Sequence, residues 1–356
     1  MQTLLKDIKG LVGAYNTAPK FLAGENMKSF SIIENAWLLC EDGKIRGFGI
    51  MENCPEFDGE IVDCTGRFVL PSWCDSHTHL VYANDRSVEY LDRLRGLSYA
   101  EIAAKGGGIL NSARALREMS EDELYDKAYK RLLAVVKIGV GAIEIKSGYG
   151  LTKEGEEKML RVIKRLKSSS PIPIKSTFLG CHAVPEGFNS ASEFTDFVIE
   201  EMLPDFVEKG LVDYVDAFCE KGYFSVDDIE KLIDAANILG VKSKIHVNQF
   251  TIQNSIKLCV NKNVLSVDHL EVISDDDVIA LKRSMSNAYP TFPVALPICS
   301  HFLGIPYTKS RLLIDEGLPL VIATDHNPGT APSGDMLEAV KLGSLKMGLE
   351  PKYERL

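Results

Sequence analysis

Two histidines one residue apart, His77 and His79, are joined far along the chain by His246 and Asp325. Neutral imidazole nitrogens and a carboxylate oxygen are good ligands for zinc or iron, and a catalytic site built from them keeps one position open for water. The reaction such a set serves is hydrolysis by a metal-activated water. His77-Thr78-His79 has the period of a β-strand, so both rings point to one face. Alone, the pair reads equally well as surface or capping histidines. It becomes a metal centre only if a scaffold brings His246 and Asp325 beside it.

That scaffold is visible as eight apolar runs alternating with amphipathic stretches: residues 67–75, 140–146, 173–180, 213–219, 242–247, 264–269, 291–296 and 319–325. Alternation of this kind predicts βα units and a parallel sheet. Ser120-Glu-Asp-Glu123 and Ser225-Val-Asp-Asp228 place a capping serine three residues before an acid, which marks helix starts. Eight strands with interleaved helices predict an α/β fold, a (β/α)₈ barrel of the TIM type. A doubly wound open sheet is the alternative, but no GxGxxG follows a strand. Residues 1–66 read instead as short strands with turns, including an Asp42-Gly43 turn, and predict a small β domain ahead of a barrel over 67–356.

In such a barrel, chemistry sits at the carboxyl ends of the strands. His77 and His79 follow the first run, His182 the third, His246 lies near the end of the fifth, and His269 and Asp325 end the sixth and eighth. Five of the seven histidines thus fall at strand ends. The fourth run, DYVDAFC, holds no lysine to bridge two metals, so a single ion is expected. Lys146, ending the second run, reads as structural or as a solvent-exposed strand end. Arg86 and Tyr149, in loops after the first two runs, face the mouth, where an arginine suits a carboxylate. Gly106-Gly107-Gly108 reads as a loop entering a helix, because no GK[ST] follows it. By alternation His326 points away from Asp325, and His301 has no assigned role.

Composition excludes other functions. The chain of 356 residues carries 40 basic and 50 acidic residues, with no dense basic cluster for nucleic acid or anionic membrane. Eight scattered cysteines without a CxxC pair predict reduced thiols and a cytoplasmic protein. No 18-residue apolar run exists to span a membrane, and the first 20 residues lack the apolar core of a signal peptide.

The stretches LPSWCDSHTHLV, GGGILNSAR, AIEIKSGYGLT, FLGCHAVP, KIHVNQF, SVDHLE and ATDHNPGTAPS, in this order between residues 67 and about 335, resemble the imidazolonepropionase family of the amidohydrolase superfamily. The resemblance implies hydrolysis of the cyclic amide of 4-imidazolone-5-propanoate to N-formimidoyl-L-glutamate in histidine degradation. It implies one zinc or iron ion on His77, His79, His246 and Asp325. Arg86, Tyr149, His182, Gln249, Asn327, Gly329 and Thr330 occupy positions that hold the substrate, a small molecule with a carboxylate tail. Asp325 and His269 are the expected catalytic pair: Asp325 moves the proton, and His269 orients water or steadies the oxyanion. A homodimer is the expected assembly. The resemblance also implies a small β-sandwich completed by a C-terminal segment that continues several dozen residues beyond Leu356.

Two other readings share part of this pattern. A nucleobase-type deaminase of the same superfamily would carry HxxE where this chain has His246-Val-Asn-Gln249, and glutamine cannot titrate. A non-catalytic barrel of the superfamily would be expected to have lost metal ligands. The predicted outcome of elemental analysis on gently purified protein is therefore zinc or iron at about one equivalent per chain, as a site with four protein ligands requires. Absence of any transition metal would favour the non-catalytic reading.

Overall fold

The computed structural model describes residues 2–97, 101–102 and 105–350. Residues 351–356, the end from which the implied C-terminal segment would continue, lie outside the described residues. By its internal contacts the chain divides between Ser72 and Trp73.

The first unit is built on β1 (Gln2–Val12), β2 (Ile32–Glu41), β3 (Lys44–Ile50), β4 (Glu60–Asp63) and β5 (Phe68–Val69). They form one sheet in the order β3-β2-β1-β4, with β5 also on β1. Asp42 and Gly43 take φ of 47° and 75°, so the predicted two-residue turn joins β2 to β3 with the twist that antiparallel strands favour. Ile8, Leu11, Ala36, Leu38 and Cys64 make the buried cluster under this sheet.

The second unit is a parallel sheet of eight strands: β6 (Trp73–Asp75), β7 (Val140–Lys146), β8 (Ile174–Cys181), β9 (Tyr214–Cys219), β10 (Lys242–Val247), β11 (Ser266–His269), β12 (Phe292–Ala295) and β13 (Val321–Ile322). Each pairs with the next in chain order. The run at 67–75, read from sequence as one barrel strand, is two: Phe68–Val69 pairs with β1, and only Trp73–Asp75 enters the barrel. Pro71 separates the two pieces and cannot donate to a ladder.

The first and last strands come together just past their ends. Asp325 donates its backbone N–H to the His77 carbonyl at 3.0 Å, and His79 donates to the His326 carbonyl at 2.8 Å. The bonds that draw the sheet round into a barrel are therefore made by the residues that carry the candidate ligands.

Helices cover the outside. The capping boxes at Ser120/Glu123 and Ser225/Asp228 form as predicted, and Ser274/Asp277 makes a further one. Leu124, Ala128, Leu132 and Val135 of helix Glu121–Lys137 recur at helical spacing and are buried.

Inside, the barrel holds a charged layer. Glu144 and Lys146 share one face of β7, and Lys146 Nζ lies 2.9 Å from Glu144 Oε1 and 2.8 Å from Asp216 Oδ2. Lys244 Nζ lies 3.3 Å from Asp268 Oδ2 and donates to Ser266 Oγ. Lys146 is wholly buried, so of its two sequence readings the structural one holds and the solvent-exposed one does not. Burial opposes its charge, but the carboxylates of Asp216, Glu144 and Asp268 outweigh burial and hold its pKa above the ordinary lysine value.

Lys146→Met would leave Asp216 and Glu144 without their cation. The expected loss is about 3–5 kcal/mol of unfolding free energy, the range for breaking a buried pair by removing one partner, read by urea denaturation. A loss below about 1 kcal/mol would mean that water or another side chain compensates.

Candidate active site

The strand ends converge on a small cavity. The loop after β6 delivers His77 and His79 on one side, while Thr78 between them turns away and donates Oγ1 to the Glu144 carbonyl at 2.7 Å. His77 Nδ1 sits 2.6 Å from Asp268 Oδ2. A carboxylate there holds the proton on Nδ1 and leaves Nε2 as the free electron-pair donor, the arrangement common among metal-binding histidines. His77 Nε2 is buried and has no hydrogen-bond partner. It lies 3.4 Å from Asp325 Oδ1, and His79 Nε2 lies 3.3 Å from the same oxygen.

His246, one residue from the end of β10, brings its ring centroid within 4.5 Å of His77 and 5.5 Å of His79. Its Nδ1 is 3.0 Å from Asp216 Oδ2, while Asp216 Oδ1 accepts its backbone N–H at 3.1 Å. Single ligand atoms of His77, His79 and Asp325 lie within 4.8 Å of one another, as do those of His77, His246 and His269. An orphaned buried nitrogen, convergent donors and carboxylates behind two imidazoles fit a divalent transition metal.

Burial, with the neighbouring imidazoles, keeps His246 well below the ordinary histidine pKa, and burial also lowers His79. Both are thus held in the neutral form that ligates. Burial opposes a charge on Asp325, but the His77 and His79 rings that face it outweigh burial and hold its carboxyl well below the ordinary carboxylate range. Asp325 and His269 take φ of 56° and 91°, conformations costly for residues other than glycine and found where surrounding structure enforces them. His269 Nδ1 lies 3.3 Å from Glu271 Oε1, which also accepts from Ser300 Oγ at 2.9 Å.

Arg86, Tyr149, His182, Gln249, Asn327 and Thr330 all line the cavity with His79, His246, His269 and Asp325. His182 Nδ1 bonds the Gly148 carbonyl at 2.8 Å, and its ring stacks on His79 at 5.4 Å. Burial, then the neighbouring His79, lowers its pKa to about 3, so it remains neutral. Gln249 Nε2 donates to Cys299 Sγ at 3.4 Å. Asn327 is mainly a loop organiser: its Oδ1 accepts from the backbone of Gly329 and Thr330, and its Nδ2 donates to the Asp325 carbonyl. His77 lies beneath the cavity, not on its wall. Gly329 lies behind Arg86, where an added Cβ would fall 2.1 Å from the guanidinium carbon.

Other sequence expectations sort themselves by position. His326 packs edge-on to Tyr82, away from the cavity, and His301 is exposed with Nδ1 on the Tyr307 hydroxyl. Gly108 N–H donates to Glu89 Oε1, so a protein carboxylate already occupies the end of the glycine loop. The residues that sequence reasoning missed are Asp216, Asp268 and Glu271. Their one signal was a charge within or just beyond an apolar run, in DYVDAFC and SVDHLE.

Comparison with known proteins follows the same lines. No family model matches the chain. It is 50% identical over 354 residues to an imidazolonepropionase of Christiangramia forsetii, covering 99% of this chain and 85% of that one. An imidazolonepropionase of Caldanaerobacter subterraneus is 38% identical over 334 residues, covering 94% and 79%. The chain belongs to the imidazolonepropionase family. Solved structures extend the likeness in fold alone. A 5-methylcytosine deaminase from Klebsiella pneumoniae with 5-fluorocytosine superposes with a TM-score of 0.69 at 14% identity, covering 99% of this chain and 82% of that one. A guanine deaminase from C. acetobutylicum with bound guanine gives 0.63 at 14%, covering 96% and 78%. Membership of the imidazolonepropionase family makes this a hydrolase acting on carbon–nitrogen bonds. No helix of the described residues is long and apolar enough to cross a membrane.

The Gly329 geometry carries a prediction for this member of the imidazolonepropionase family. Gly329→Ala must push the Arg86 guanidinium out of place. Affinity for small carboxylate ligands, measured by calorimetry, is expected to fall at least about tenfold, the loss of one charge-assisted hydrogen bond. The Tm should drop by only about 2–4 °C, as for a local change of about 1 kcal/mol in a domain of this size.

Proposed function

We propose that this chain opens the cyclic amide of 4-imidazolone-5-propanoate to N-formimidoyl-L-glutamate, using one zinc or iron ion held by His77, His79, His246 and Asp325. The observation that carries the reading is that Arg86, buried and directed at the cavity, shares one small pocket with His79, His246 and Asp325. A metal bound there would polarise the ring carbonyl and make water a nucleophile near neutral pH.

The chain's own residues account for the rest. Arg86 pairs with the propionate tail, because a buried guanidinium matches a carboxylate in charge and shape. Tyr149 and His182 close that side, and the neutral His182 ring adds a polar edge without a competing charge. Gln249 bonds the ring through its amide, and Asn327 holds the loop that sets Thr330 at the cavity wall and Gly329 behind Arg86. Glu271 draws the His269 proton to Nδ1, so His269 Nε2 is left as an acceptor suited to orienting the attacking water. Asp325, ionised and at the cavity wall, takes the proton of that water and returns it to the ring nitrogen as the C–N bond breaks.

The deaminase reading lacks its proton carrier. The residue in the acid's place is Gln249, which donates to a thiol and cannot titrate. Asp325→Asn keeps the size of the side chain but not the base. Turnover of imidazolone propionate is expected to fall by about 10²–10⁴-fold, the usual contribution of a positioned base, with bound metal largely retained by elemental analysis. Full activity in that variant would remove Asp325 from proton transfer.

A further inference from the structure

Glu156 is wholly buried, lies outside the cavity wall, and has no part in the chemistry described above. It sits in the first turn of helix Lys153–Ser169, and its carboxylate faces the loop leaving β7. Oε2 accepts the Gly148 N–H at 2.8 Å, and Oε1 accepts those of Gly150 and Leu151 at 2.7 and 2.9 Å. One carboxylate therefore satisfies three amides of this loop, those of Gly148, Gly150 and Leu151, that would otherwise be buried without partners.

That loop is tightly packed. Leu151 takes φ of 56°, and a Cβ on Gly150 would lie 2.2 Å from the Glu156 amide nitrogen. The loop carries Tyr149, which lines the cavity, and its Gly148 carbonyl holds His182 Nδ1. A Cβ on Gly148 would fall 2.9 Å from that same nitrogen. Two cavity side chains from different strands thus hang on one loop, and one carboxylate behind it holds the loop in shape.

We infer that Glu156 is a positioning residue for substrate binding, acting through the Gly148 carbonyl and the Tyr149 backbone to set His182 and Tyr149 against the substrate. The inference rests on the reading of those two side chains as substrate-holding. Glu156→Gln keeps the volume but turns an N–H₂ group toward backbone donors, so at least one loop bond is lost. KM for imidazolone propionate is expected to rise about tenfold with kcat within about threefold, the signature of lost binding rather than lost chemistry. The His182 side-chain ¹⁵N resonances, followed with labelled histidine, are expected to move as the Nδ1 bond to Gly148 loosens.

A folded Glu156→Gln protein with a lower Tm but with parental KM and unmoved His182 resonances would overturn the proposal, because a purely structural role predicts that result. Glu156→Asp keeps the charge but shortens the side chain by one methylene, which draws the carboxylate away from the three loop amides. It is expected to show the same two changes on a smaller scale, and it decides the question if Glu156→Gln yields no soluble protein. Tyr149→Phe, measured alongside, separates the two levels. If it raises KM while Glu156→Gln does not, the Glu156 proposal fails alone. If neither raises KM but the His182 resonances still move, the reading of the substrate side fails and the loop anchor stands.

Discussion

The site depends on a lattice of buried charges beneath it. Asp216 and Asp268 each face two ways, toward a lysine inside the barrel and toward the Nδ1 of His246 or His77. Burying either carboxylate without its cation would be costly, and the bond to Asp268 holds the His77 ring in one tautomer. Lys146 and Lys244 therefore act on the site at one remove. They pair with the carboxylates that lie behind the candidate ligands His246 and His77. Removing a lysine would disturb stability and ligand geometry together, since the same oxygen serves both.

A second constraint is that closure of the barrel and assembly of the site are the same event. The backbone bonds from Asp325 to His77 and from His79 to His326 join the first strand to the eighth. They also bring His77, His79 and Asp325 together from positions about 250 residues apart in sequence. Asp325 is held with positive φ at that seam, and His269 is held likewise two strands away. Strain of this order persists only where the surroundings over-determine it, and here those surroundings are the neighbouring strand ends themselves.

Around this centre, rigid backbone does most of the positioning. Asn327 folds its own loop by accepting from Gly329 and Thr330, and the absence of a side chain at Gly329 gives Arg86 its place. Glu156 does for the β7 loop what Asn327 does for the loop after β13. A pocket of this kind loses little entropy on binding, because its polar groups are already aimed. The arrangement suits a small-molecule substrate.

The sequence by itself determined the elements and the candidate ligands. Strand period two puts His77 and His79 on one face, the alternation of apolar runs with capped helices implies a parallel barrel, and strand ends are where its chemistry gathers. Those features are local, so they survive without coordinates. The boundary at Trp73 was not legible, because Phe68–Val69 is as apolar as a barrel strand and differs only in which partner it pairs with. Lys146 was equally ambiguous at the end of its run. Only the tertiary structure decided that it is buried between Glu144 and Asp216. The same holds for Asp216, Asp268, Glu271 and Glu156, whose roles are contacts with residues on other strands or across a loop. A carboxylate inside an apolar run announces that something must compensate it, but which group does so is a fact of three-dimensional packing.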